Sequence, residues 1–181
     1  SLTAGFGVAP QESYVSILER ELKALGYSVH LQNAGVSGDT SAGVRRRIKW
    51  LLRDRPERVF LAIGANDGLR GHPIEEMKKN IIGAVKAVQS HGVKVLLMGM
   101  KLPPNYGQDY TQRFERAFHE IAERLKVPLL PFLLEGVGGV PTLNLPDGIH
   151  PNAEGHRRVA DHVLSFLKQQ KIISSIPLMN E

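Results

Sequence analysis

The chain contains no cysteine. That excludes disulfides, thiolate metal sites and a cysteine nucleophile, but it does not identify a compartment. Aromatic residues are scarce, at 6% with a single tryptophan. Nothing resembles a base-stacking aromatic array or a phosphate-cradling glycine-rich loop, so no nucleic acid partner is expected. No apolar run approaches the roughly 18 residues needed to span a bilayer, so no stable membrane insertion is expected. The net charge of +5 is diffuse. It favours the approach of anions without naming a partner.

What is present suits one globular domain. A chain of 181 residues with a 42% hydrophobic fraction can bury a real core. Repeats, low-complexity tracts and linkers are absent, and helical and strand patterns alternate. Tyr14, Ile17, Leu18, Leu22 and Leu25 recur at helical spacing and Gly26 closes that helix. Residues 28–32 read as a strand with Val29 and Leu31 on one face. A second helix is expected over 41–52 with Thr40 as its cap. A strand over 58–63 stops at Gly64, and Pro73 opens a helix that turns Met77, Ile81, Val85 and Val88 inward. A strand over 93–98, a helix over 110–125 burying Phe114, Phe118, Ile121 and Leu125, and a strand over 127–132 follow. A last helix over 151–167 buries Val159, Val163 and Phe166.

Strands separated by helices imply parallel pairing, and right-handed crossovers then give a layered α/β domain. In such sheets ligands bind beyond the carboxyl ends of the strands. The polar segments 64–68, 103–109 and 147–152 are expected there. The first helix has no strand before it, only the small-residue loop 1–7. The expectation is that a strand precedes Ser1 in the intact protein.

The strongest local signal is Asp147-Gly148-Ile149-His150-Pro151-Asn152. Pro146 and Pro151 stiffen it from either side of the turn, and a three-residue separation in a tight turn can set a carboxylate against imidazole Nδ1. The bland alternative is a turn in which Asp147 caps the last helix and His150 lies at the surface. Without cysteine, the nucleophile for such a pair is Ser or Thr. Ser1, Ser37, Thr40 and Ser41 all lie in small-residue segments; Thr40 or Ser41 also suits a helix cap and Ser37 a plain turn. Gly38 can present a backbone N–H, and Asn66 a side-chain NH₂, to a developing oxyanion. Asn66 and Asp67 equally suit a turn. No Gly-x-Ser-x-Gly elbow is present, so the scaffold is not that of the α/β hydrolases.

Taken together, Ser1-Leu2-Thr3-Ala4-Gly5, Val36-Ser37-Gly38-Asp39-Thr40-Ser41, Gly64-Ala65-Asn66-Asp67-Gly68-Leu69-Arg70-Gly71 and Asp147-Gly148-Ile149-His150-Pro151-Asn152 resemble the four blocks of the SGNH (GDSL) hydrolases. The nearest likeness is to their thioesterase I / lysophospholipase L1 / arylesterase branch, and Leu102-Pro103-Pro104-Asn105-Tyr106-Gly107 also looks like that branch. The resemblance covers nearly the whole chain. It implies a single SGNH hydrolase domain over 1–181, with a three-layer α/β/α flavodoxin-like fold around a central parallel sheet. It further implies Ser1 as nucleophile, His150 as general base, Asp147 as its orienting partner, and Gly38 and Asn66 as oxyanion donors with the Ser1 amide. The substrate would be a small-molecule acyl ester or thioester, with no metal or organic cofactor required. A periplasmic or secreted location is compatible with the likeness. The family's Gly-Asp before the serine has no counterpart here, since the sequence starts at Ser1.

Three rival readings stand beside this one: a carbohydrate O-deacetylase of the same family, an N-terminal-nucleophile hydrolase using a free Ser1 amine, and a non-catalytic binding module. His156 and His162 lie six apart, a poor spacing for a metal pair, and read as surface or helix residues. Arg45, Arg46, Arg47 and Lys49 read as a solvated face, and Trp50 and the phenylalanines as core. The stretches 102–109 and 133–145 are expected to wall the pocket, with Val140, Leu143 and Leu145 suited to an apolar acyl group.

Overall fold

A computed structural model describes residues 1–173. They form two compact units, one made of residues 1–37 with 134–173, the other of Gly38–Leu133.

The second unit holds a parallel sheet of β1 (Arg58–Ala62), β2 (Lys94–Met98) and β3 (Leu129–Leu130), in that order. Arg58 to Ala62 pair in register with Lys94 to Met98, and Leu97 and Met98 with Leu129 and Leu130. Val95 to Met98 are all buried, as a central parallel strand covered on both faces requires. Around it lie α2 (Ser41–Leu51), the short α3 (Ala65–Leu69), α4 (Ile74–Ser90) and α5 (Gln108–Leu125). Helix α4 packs against both α2 and α5. Its inward stripe of Met77, Ile81, Val85 and Val88 is at most 1% exposed. Each such chain contributes roughly 1.5–3 kcal/mol by leaving water.

The first unit pairs α1 (Tyr14–Ala24) with α6 (Ala153–Gln169). Leu18 and Leu22 of α1 and Val159, Val163 and Leu167 of α6 are all buried. The Ser13 hydroxyl accepts from the Ser16 N–H to cap α1, and the Asn152 amide oxygen accepts from the Gly155 N–H to cap α6.

Several expectations are corrected. Residues 28–32 form no strand. Their alternation is real, with Val29 and Leu31 half-buried between exposed neighbours, but the Leu31 N–H donates to the Glu19 carboxylate at 3.1 Å rather than to a ladder. The strand expected over 127–132 shrinks to Leu129–Leu130, because Pro131 cannot donate to a ladder. Leu125 is half-buried at the end of α5. Trp50 is 61% exposed and Phe6 is 49% exposed, so neither is core. Among the described residues, no helix is long and apolar enough to cross a membrane.

His156 is not a surface residue. It is 1% exposed, its Nδ1 accepts the Tyr14 backbone N–H at 3.1 Å, and the Tyr14 ring stacks parallel to it. Since Nδ1 is the acceptor, the ring proton sits on Nε2. Burial, with a smaller push from His150, lowers its pKa from 6.5 to about 4. The folded state therefore resists a proton that the unfolded chain accepts. Stability is intact above pH 6.5 and is lost as the pH falls toward 4. Replacing His156 with Gln should remove that part of the acid sensitivity. The wild-type advantage in urea unfolding free energy should shrink by about 3 kcal/mol between pH 7 and pH 4. A pH-independent difference would show that the ring is not held neutral.

Candidate active site

The turn that follows Leu145 is built by its own backbone. The Leu145 N–H donates to the His150 carbonyl at 2.7 Å, and the Gly148 N–H to the Leu145 carbonyl at 2.9 Å. Asn144 and Pro151 bridge antiparallel beside it. Gly148 has φ +69, in the left-handed region that glycine enters without strain. The result is a tight loop whose backbone N–H groups and one imidazole converge on a single carboxylate.

That carboxylate is Asp147. Its Oδ1 accepts the N–H groups of Ile149 at 2.8 Å and His150 at 2.9 Å, and its Oδ2 meets His150 Nδ1 at 2.7 Å. These bonds, the His150 backbone N–H foremost, lower its pKa to about 2. An ionised carboxylate only accepts, so Nδ1 of His150 carries the proton. A neutral ring then leaves Nε2 as an acceptor, and Nε2 lies 2.8 Å from Ser1 Oγ. The structure thus brings Ser1, His150 and Asp147 into one chain of hydrogen bonds across 149 residues of sequence separation. The alternative in which Asp147 caps the last helix does not occur, because Asn152 holds that position.

The loop carrying Ser1 is anchored on itself and on its neighbours. The Phe6 N–H donates to the Ser1 carbonyl at 3.1 Å. Thr3 exchanges a 2.9 Å hydrogen bond with the buried Tyr14 hydroxyl, and its carbonyl accepts from Asn33 Nδ2 at 2.6 Å. Gly35 lies so close to Ala4 that any side chain there would strike the Ala4 backbone nitrogen.

Gly38 and Asn66 come together in the other unit. Gly38 has φ +77 and its carbonyl accepts from Arg70 at 3.0 Å. The Asn66 amide donates to the neighbouring Asp39 carbonyl at 2.9 Å, which orients its NH₂ and leaves the second hydrogen of that group. Segment 64–68 is more than a turn, since residues Ala65–Leu69 make the helix α3.

Asp67 is the residue whose role went unread. It is 4% exposed, and its Oδ2 accepts the Ser41 N–H at 2.8 Å while its Oδ1 accepts the Ser41 hydroxyl at 2.6 Å. It therefore caps α2. Thr40 stands at the cap position but makes no capping bond. Ser41, 1% exposed and committed to Asp67, is unsuited to attack a substrate. A carboxylate directly before a Gly-Leu-Arg segment was the available signal, but the partner 26 positions away was not. The basic stretch of α2 is partly paired, with Arg47 on Asp39 at 2.9 Å and Arg45 on Asn80 at 3.3 Å. Among the described residues, no group of three His, Asp or Glu could hold a metal.

Residues 1–158 match the model of the GDSL-like lipase/acylhydrolase family. The chain is 39% identical to Esterase TesA of Pseudomonas aeruginosa over 93% of its length and 84% of that protein's. It is 33% identical to the thioesterase 1/protease 1/lysophospholipase L1 of Escherichia coli over 93% of its length and 80% of that protein's. In three dimensions it superposes with a TM-score of 0.90 on the psychrotrophic esterase EstA of Pseudoalteromonas, a structure inhibited by monoethylphosphonate. The two are 33% identical, with 95% of this chain and 94% of that one covered.

The Asp67 cap gives a stability prediction. Asp67→Ala leaves the buried Ser41 N–H and hydroxyl without their partner, and should lower the urea unfolding free energy by about 2–3 kcal/mol. A change under about 0.5 kcal/mol would mean that the bonds are not stabilising.

Proposed function

The chain belongs to the GDSL-like lipase/acylhydrolase family and hydrolyses carboxylic ester or thioester bonds; we propose that it does so through an acyl-enzyme on Ser1, with His150 as general base and Asp147 as the residue that orients it. The observation that carries this reading is the unbroken run from Asp147 Oδ2 through His150 to Ser1 Oγ, at 2.7 and 2.8 Å.

In acylation, His150 Nε2 takes the Ser1 hydroxyl proton as Oγ bonds to the carbonyl carbon. When the carbon–oxygen or carbon–sulfur bond to the leaving group breaks, the same nitrogen gives that proton to the leaving atom. Water then attacks the acyl carbon, losing a proton to His150; the bond from that carbon to Ser1 Oγ breaks, His150 returns the proton to Oγ, and the carboxylic acid departs. Asp147 stays ionised throughout and stabilises the imidazolium. We assign the transient oxyanion to the Ser1 and Gly38 N–H groups and the Asn66 amide, on the strength of the family pattern. Each such donor is worth ~2.7–4 kcal/mol in the transition state. Natural substrates of this class, on our reading, are small acyl esters or thioesters, and the neighbouring thioesterase and lysophospholipase names fit that range.

Ser1→Ala should lower turnover of p-nitrophenyl acetate on the order of 10³-fold or more while leaving the melting temperature in place. Undiminished turnover would remove Ser1 from the reaction.

A further inference from the structure

The Phe6 ring lies against the His150 imidazole, with centroids 4.6 Å apart and planes inclined at 43°. Its backbone N–H donates to the carbonyl of Ser1 at 3.1 Å, which ties residue 6 to the residue whose hydroxyl meets His150 Nε2. Yet it is 49% exposed. Ile149, next to His150 in sequence, is 43% exposed. An aromatic ring packed on the imidazole and left half in water offers an apolar face beside the reacting atoms, on which an apolar part of a substrate can pack.

Which part of a substrate that group belongs to follows from the chemistry. The tetrahedral carbon formed on Ser1 carries four substituents: the serine oxygen, the oxyanion, the acyl chain and the leaving oxygen or sulfur. Only the leaving atom must come within hydrogen-bond reach of His150 Nε2, since that nitrogen protonates it as the bond breaks. The oxyanion turns to N–H donors, and the acyl chain takes the remaining direction. A ring packed on the imidazole is therefore adjacent to what the leaving atom carries.

We propose that Phe6 forms the leaving-group side of the site and selects esters and thioesters whose alcohol or thiol bears an apolar group, an aromatic ring above all. The inference rests on Ser1 and His150 acting as nucleophile and base. Aromatic rings at this separation attract one another in offset or tilted arrangements, which the free face of Phe6 can offer. The selection acts during acylation and is spent once the alcohol departs. It therefore appears in kcat/KM, which reports that step, and not in the hydrolysis of a common acyl-enzyme.

The test compares 2-phenylethyl butanoate with ethyl butanoate, two esters of one acid whose alcohols differ by a phenyl group. In the wild-type protein the phenylethyl ester should have the higher kcat/KM. In Phe6→Ala that preference should fall about tenfold, and Phe6→Tyr, which keeps the ring, should restore it. The relative rates of p-nitrophenyl acetate, butanoate and octanoate should keep their order in Phe6→Ala, because the acyl side is not touched. Equal loss on both butanoates would show that the ring only steadies His150, and would overturn the proposal. So would a changed acyl-length order with the alcohol preference intact. If Ser1→Ala still cleaved both esters at the wild-type rate, the failure would lie in the assigned nucleophile rather than in Phe6.

Discussion

One carboxylate organises the reactive end of this protein. Asp147 receives two backbone N–H groups and an imidazole N–H from the four residues that begin with it. The backbone bonds define the turn and the third fixes the ring. The same three bonds that shape the loop also decide which imidazole nitrogen is free, so local folding and proton placement are one event. A ring with the other tautomer would turn a donor, not an acceptor, toward Ser1. The low pKa of Asp147, about 2, follows from those bonds and keeps the carboxylate an acceptor at any pH where an imidazole can be neutral.

The other unit uses a carboxylate in the same way for a different purpose. Asp67, on the short helix after β1, reaches the first residue of α2 and closes its free N-terminus. Together with the Asn66 amide on the Asp39 carbonyl and Arg70 on the Gly38 carbonyl, it fixes the Gly38–Asp39 segment to the short helix that follows β1. The sheet supplies rigidity, and the polar groups on α3 and at its C-terminus pass it to the loop. Precise placement of this kind, on elements rather than on free loops, is what a small set of donors needs to act on a transient charge.

More of the candidate site's local geometry than of the fold's details was legible in the sequence, for a physical reason. A turn such as Asp147 to His150 is local: its prolines, glycine and spacing confine the geometry within a few residues. Inward stripes such as Met77, Ile81, Val85 and Val88 were legible because periodicity encodes which side faces a core. Pairing is not encoded in the same way. The alternation of Val29 and Leu31 marks a face but not whether a neighbouring strand exists, and Pro131 cuts short a run that reads as continuous strand. Polar residues mislead most, because their role depends on a distant partner. Thr40 has the composition of a cap, yet Asp67 does the capping. His156 looks like a surface histidine until Tyr14 is folded against it. Phe6 and Trp50 read as core because hydrophobicity alone cannot say that a ring will be left in water.

The central claim is that one hydroxyl, that of Ser1, is made nucleophilic by the imidazole 2.8 Å away. The most direct measurement is to treat the protein with a fluorophosphonate and locate the adduct by peptide mass spectrometry. The account predicts a single modified residue, Ser1, labelled far faster than any other serine. Modification at Ser37 or Ser41 instead, or labelling of Ser1 no faster than that of an ordinary surface serine, would contradict it.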